Sequence, residues 1–228
     1  MSDSRERHRS ELVARVSHRY WPLGHVLLAP GLGLIAAAIA IWRIEDVRAV
    51  ELLLIPATLL VANVFEWCIH REVLHRPRLG GFIYKKHTLE HHRIYREDSM
   101  AVRDWRELPL ILLGPATFSV VAVAAAIVAL VPALLLGANA GWLALATESL
   151  YLAAYELLHL SYHLPDGHPV SKWRLIRRLG AHHGRHHDPR LMRRWNLNVS
   201  IPLSDWLFRT IAPKRPPTPP PEDKTFPD

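Results

Sequence analysis

The sequence predicts an all-α integral membrane protein with four transmembrane helices and a cytosolic helical cap. Three observations predict it: long apolar runs, a one-sided distribution of Lys and Arg, and clustered histidines. Apolar runs extend from about Leu23 to Trp42, Leu52 to Ile69 and Leu108 to Leu160. A bilayer crossing needs roughly 20 such residues. The last run is too long for one helix, and Pro132 with the turn Gly137 to Gly141 is expected to split it into two antiparallel spans. The expected spans are about 23–42, 50–69, 109–131 and 139–160, with the cap formed by 70–107 and 161–212.

Charge tests that division independently. Of the 28 Lys and Arg residues, 26 fall before the first span, between the second and third, or after the fourth. The positive-inside tendency then makes both termini and the long middle loop cytoplasmic. The net charge of +7 suits anionic headgroups. Nucleic acid is excluded as the partner because the basic residues flank spans and form no separate basic module.

Histidine placement carries the chemistry. Ten of the fifteen histidines lie in four clusters: His70 and His75; His87, His91 and His92; His159 and His163; His183, His186 and His187. Rings three or four apart on a helix share a face; His70 and His75, five apart, fit less neatly and suit a frayed helix end. Ten imidazoles exceed the three or four ligands of one ion, so two metals are implied. Four spans put all four clusters on one face, whereas three or five would separate the first two from the last two.

The remaining chain sets bounds. Residues 1–20 read as a cytosolic N-terminal segment, expected as an amphipathic helix on the membrane and not a signal peptide. Residues 21–212 form the membrane domain, and 213–228 a Pro-rich disordered tail. Cys68 is the only cysteine, which excludes an internal disulfide. Trp42, Trp67, Trp142 and Tyr20 read as interfacial anchors. His8, His18, His25 and His168 are isolated and read as solvated or headgroup-facing rings.

Two polar stripes lead from the spans to the clusters. Asn63, Glu66 and His70 follow helical spacing, as do Glu148, Tyr151, Tyr155, Glu156, His159 and His163. Ionisable groups in lipid face a bundle interior, so the two stripes are expected to face each other. Residues 82–97 read as a helix bearing the second cluster.

The motif Glu66-Trp67, then His70-Arg71-Glu72-Val73-Leu74-His75, the three later boxes, and the closing stretch Trp195 to Thr210 together resemble the fatty acid hydroxylase superfamily of membrane di-iron oxygenases. Sterol desaturases and carotenoid and sphingolipid hydroxylases belong to it. The resemblance spans about Leu52 to Thr210. It departs at the second box, which has three residues where two are more frequent before the paired histidines, and at Asn198 and Arg209, where glycine is usual. His182 is an extra histidine that leaves open which of His182 and His183 is the ligand; His183 keeps the family spacing.

The resemblance implies two iron ions, with zinc as a possible substitute in purified material, held by the ten clustered histidines. It implies hydroxylation or desaturation of a lipid C–H bond with O2. Electrons would come from an external ferredoxin, cytochrome or reductase, because no haem-binding or flavin-binding domain fits the chain. The lipid would enter laterally between the spans. Glu66, Glu72, Glu90, Glu156 and Asp188 are candidates to accept imidazole N–H bonds, and Asn196 joins Glu66, Glu156 and Asp188 as a candidate supporting residue. Composition points to a bacterial inner membrane ahead of the endoplasmic reticulum. The rival classes are a metal transporter or store, disfavoured because ligands lie beyond the span ends, and a catalytically silent scaffold, disfavoured by the complete boxes.

Overall fold

The computed structural model describes residues 3–214; the predicted disordered tail lies, from residue 215, outside them. No strand occurs among the described residues, only an isolated bridge between Arg96 and Ser99. The chain divides into two compact units. One comprises Met1–Pro22, Val64–Ile111 and Leu158–Asp228, and the other Leu23–Asn63 and Leu112–Leu157.

The second of these units is apolar. Its chain runs through α2 (Pro22–Trp42), the start of α3 (Leu54–Ile69), α6 (Pro115–Leu136) and most of α7 (Ala138–Tyr162). Three helical stretches are long and apolar enough to cross a membrane: Pro22–Trp42, Ala49–Leu74 and Pro115–Leu136. The fourth expected span corresponds to α7, whose 25 residues suffice in length but carry a polar stripe that lowers its apolarity. Pro132 lies inside α6 and does not end it. The break falls at Gly137, whose φ of 104° only glycine adopts without strain.

Small residues set the packing of this unit. A Cβ on Gly33 would stand 2.8 Å from the carbonyl oxygen of Ser149, and one on Gly141 would stand 2.5 Å from the Cβ of Ala133. Helix backbones in membranes approach this closely only where side chains are minimal. Asn63 Nδ2 donates to Tyr151 Oη at 3.1 Å, so the two polar stripes meet there. Glu156 accepts from the Leu113 amide at 3.0 Å.

The other unit holds the histidines. Helix α1 (Asp3–Ala14) packs against protein. Arg5 reaches Asp98 and Ser99, Glu6 pairs with Arg103, and Arg9 pairs with Glu107 at 3.2 Å, both side chains being buried. Removing one partner of such a buried pair costs about 3–5 kcal/mol. Trp67 is also no headgroup anchor: its indole N–H donates to Thr210 Oγ1 at 3.0 Å and its ring packs on Phe208.

Local winding departs from the expected α-helices at the first two boxes. His70–Leu74 and Lys85–His91 are π-helical. Between them lies α4 (Pro77–Tyr84), kinked at Gly81. The second box ends in the single turn α5 (His92–Ile94), short of the expected Glu97. Helix α8 (Arg174–His186) carries the fourth box, and α9 (Leu203–Leu207) the closing segment.

Candidate metal centre

The ten clustered histidines gather into two sets of five. His70, His75, His87, His92 and His186 form one, and His91, His159, His163, His183 and His187 the other; in each set one ring nitrogen per residue lies within 4.8 Å of the rest. His8, His18, His25 and His168 join neither. His182 points away, with Nε2 3.0 Å from Asp205 Oδ2, while the adjacent His183 enters the second cluster. The two clusters adjoin: the rings of His92 and His187 stack at 4.1 Å.

Helix type explains the partition. Five residues advance an α-helix by about 500°, which leaves the two side chains roughly 140° apart, but a π-turn realigns them. The pairs His70/His75 and His87/His92 are each five apart, each is spanned by a π-helical segment, and both serve the first cluster. His159/His163 and His183/His187 are four apart on α-helical backbone and serve the second. The neighbours His91 and His186 cross over, each to the opposite cluster. The extra residue of the second box is thereby absorbed in a π-turn.

Proton positions follow from the acceptors. The Nδ1 atoms of His91, His163, His186 and His187 face the carbonyl oxygens of Leu110, Met100, Trp195 and Tyr95 at 2.8, 2.8, 3.0 and 2.7 Å, and His70 Nδ1 faces that of Leu197. A carbonyl only accepts, so each Nδ1 carries the proton and each neutral ring presents a bare lone pair at Nε2. His75 follows by one more step. Thr88 Oγ1 spends its hydrogen on the Leu74 carbonyl at 2.7 Å, so it accepts from His75 Nδ1 at 3.0 Å.

These lone pairs point at one another. His75 and His186 approach Nε2 to Nε2 at 3.0 Å in the first cluster, and His91 and His187 at 3.3 Å in the second. His163 Nε2 is buried with no hydrogen-bond partner. Without a proton between them, such contacts are repulsive; a cation makes them attractive. Imidazole–metal bonds of about 2.0–2.1 Å meeting near a right angle put nitrogens roughly 3.0 Å apart, which fits the observed separations.

Electrostatics agrees. Burial first, then the neighbouring imidazoles, pushes His75, His87, His91, His92, His183 and His187 well below the usual histidine range. Burial, then His70, does the same to His186, and burial lowers His163 to about 4. Rings held neutral keep their lone pairs for a cation.

The expected carboxylate partners go elsewhere. Glu66 accepts from the amides of Val199 and Ser200 and from Ser200 Oγ. Glu72 pairs with Arg71 and Arg76, Glu90 with Lys86, and Asp188 with Arg190. Asn196 donates to the His182 carbonyl at 2.8 Å and accepts from the Ala212 amide at 2.7 Å. Asp205, fully buried, accepts from the amides of Leu197 and Asn198, from Thr210 Oγ1 and from His182. Burial raises its pKa, but those four bonds outweigh it and hold the carboxyl below the usual range. It thus fixes the strand of chain whose Leu197 carbonyl orients His70. Sequence reasoning missed these carbonyl partners because every residue has a carbonyl.

Helices of membrane length joined to two polyhistidine cradles define a histidine-rich membrane protein whose clusters could hold metal. A family model described as fatty acid hydroxylase matches residues 55–210, about two-thirds of the 228 residues. The chain belongs to the fatty acid hydroxylase family. Membership implies a membrane enzyme of the oxygenase type and suggests lipid hydroxylation or desaturation. No curated protein and no solved structure is significantly similar to the chain.

Proposed function

We propose that the protein is a membrane-bound di-iron oxygenase that hydroxylates, or desaturates, a C–H bond of a lipid, using O2 and electrons from an external ferredoxin, cytochrome or reductase. The observation that carries this reading is the pair of five-histidine clusters with opposed Nε2 lone pairs. Five donors per cluster support iron over zinc, since structural zinc closes with four. The ten ligands would be His70, His75, His87, His92 and His186 for one ion and His91, His159, His163, His183 and His187 for the other.

When bound, the irons supply activation of dioxygen for attack on an unactivated C–H bond. The chain's own groups hold and orient. Backbone carbonyls fix the tautomers, burial keeps the rings neutral, and Glu66 and Asn196 tie down the closing segment. Asp188 and Glu156 support neighbouring turns through Arg190 and the Leu113 amide. In hydroxylation, one atom of dioxygen enters the C–H bond and the other leaves as water, consuming two electrons from the donor and two protons from water.

Four spans with both termini cytosolic belong to the same proposal. The second cluster joins His91 to His159 and His163, which supports a chain that leaves through α6 and returns through α7. The 25 residues of α7 extend roughly 38 Å at about 1.5 Å each, enough for a core of about 30 Å. The Lys and Arg distribution supports a cytosolic cap, and composition supports a bacterial inner membrane.

The test is lipid analysis of a host expressing the chain beside a His91→Ala, His92→Ala variant. Lipids gaining one oxygen atom or losing two hydrogens are expected only with the native chain. Unchanged lipids, together with a single redox-silent zinc per purified chain, overturn the proposal.

A further inference from the structure

We propose that α1 is a strap that positions the second histidine cluster, acting from Arg9 through Glu107 and Tyr95 on the segment 95–111. The inference rests on the metal reading above and gives a role to a helix, α1, that the family match, 55–210, does not reach.

Four of the five rings in the second cluster take their backbone acceptors from this one segment. His187 uses Tyr95, His163 uses Met100, His91 uses Leu110 and His159 uses Ile111. The first cluster draws on other chain: His70 on Leu197, His186 on Trp195 and His75 on Thr88. The two cradles therefore have separate outer walls.

Segment 95–111 has little structure of its own to fix those carbonyls. It contains the isolated bridge Arg96–Ser99 and a short 3-10 turn, Trp105–Leu110. Helix α1 reaches it through Glu6, Arg5 and Arg9. The Glu6–Arg103 pair is exposed and worth little, and Arg5 reaches an exposed Asp98. Arg9 is different. Its Nη1 meets both Glu107 oxygens at 3.2 Å in a buried contact, and Glu107 Oε2 accepts from Tyr95 Oη at 2.7 Å. The Tyr95 ring lies against His91 and His163, and its carbonyl orients His187. A chain of four groups thus runs from the N-terminal helix to a ligand ring.

Only Nη1 of Arg9 contacts the carboxylate, and its Nε and Nη2 have no hydrogen-bond partner. A lysine ammonium can therefore stand in for the guanidinium, which provides a conservative rescue.

The experiment measures metal per chain in full-length protein loaded with ferrous iron, at a chelator concentration that leaves the native chain with two ions. Arg9→Met is placed in three backgrounds: native, His75→Ala with the first cluster disabled, and His163→Ala with the second disabled. Expected are a fall from two ions to about one in the native chain, a fall from one to near zero with His75→Ala, and no change with His163→Ala. Arg9→Lys should return the native count. Should Arg9→Met fail to fold, the near-isosteric Glu107→Gln is read in its place with the same expected pattern. Equal losses in both single-cluster backgrounds, or no loss in either, overturn the strap. A native chain that never holds a second ion defeats the metal reading itself, and the strap with it.

Discussion

The Nε2 atoms of His75 and His186 lie 3.0 Å apart, and both rings carry their proton on the opposite nitrogen. Each ring is committed by its own acceptor, Thr88 for one and the Trp195 carbonyl for the other. That commitment makes the Thr88 hydroxyl a testable support. Thr88→Val keeps the shape but orphans the His75 N–H and the Leu74 carbonyl. Metal affinity at the first cluster should fall by about 10–100-fold in chelator competition, and Thr88→Ser should restore it.

Two residues of the closing segment share a left-handed backbone yet should respond oppositely to glycine. Arg209 has φ of 56° and an exposed side chain, so Arg209→Gly removes strain of about 1 kcal/mol and should raise the melting temperature in detergent by about 2–4 °C. Asn196 has φ of 54°, but its side chain bridges His182 and Ala212. Asn196→Gly leaves the buried Ala212 amide without this acceptor at about 1–3 kcal/mol, and the melting temperature should drop.

Glycines of α2 offer a matched comparison. A Cβ on Gly33 meets the Ser149 carbonyl, whereas one on Gly31 meets nothing within 4 Å. Gly33→Ala should destabilise by about 1–3 kcal/mol, read as a lowered melting temperature. Gly31→Ala should leave it unchanged or raise it, by up to about 1 kcal/mol of helix propensity.

Topology can be read with an impermeant maleimide in a Cys68→Ser background, since Cys68 is the sole cysteine. Ser17→Cys and Ala138→Cys are both exposed positions. Intact spheroplasts should label only Ala138→Cys, and inverted vesicles only Ser17→Cys. Labelling of both from the same side would contradict four spans.

Much of this architecture is legible in the sequence because it depends on side-chain type. Apolar length marks three spans, and the number of clustered imidazoles exceeds the three or four ligands of one ion. What escapes the sequence depends on winding and backbone. His70 and His75 look misaligned until a π-turn brings them together, and the partition of His91 from His92 follows from the same turn. The carbonyls of Tyr95, Met100 and Leu110 have no side-chain signature. Glu66 resembles an imidazole partner by spacing but holds the amides of Val199 and Ser200 instead. The partners of the α1 charges, Asp98, Arg103 and Glu107, escape the sequence because they are distant in the chain.

The adjacent residues His91 and His92, like His186 and His187, answer to different clusters. Their Cα atoms are about 3.8 Å apart across one peptide bond, so ordering a ring at either ion restrains the backbone that presents its neighbour to the other. On the two-ion reading proposed above, occupancy of one cluster would thereby lower the entropic cost of seating the second ion.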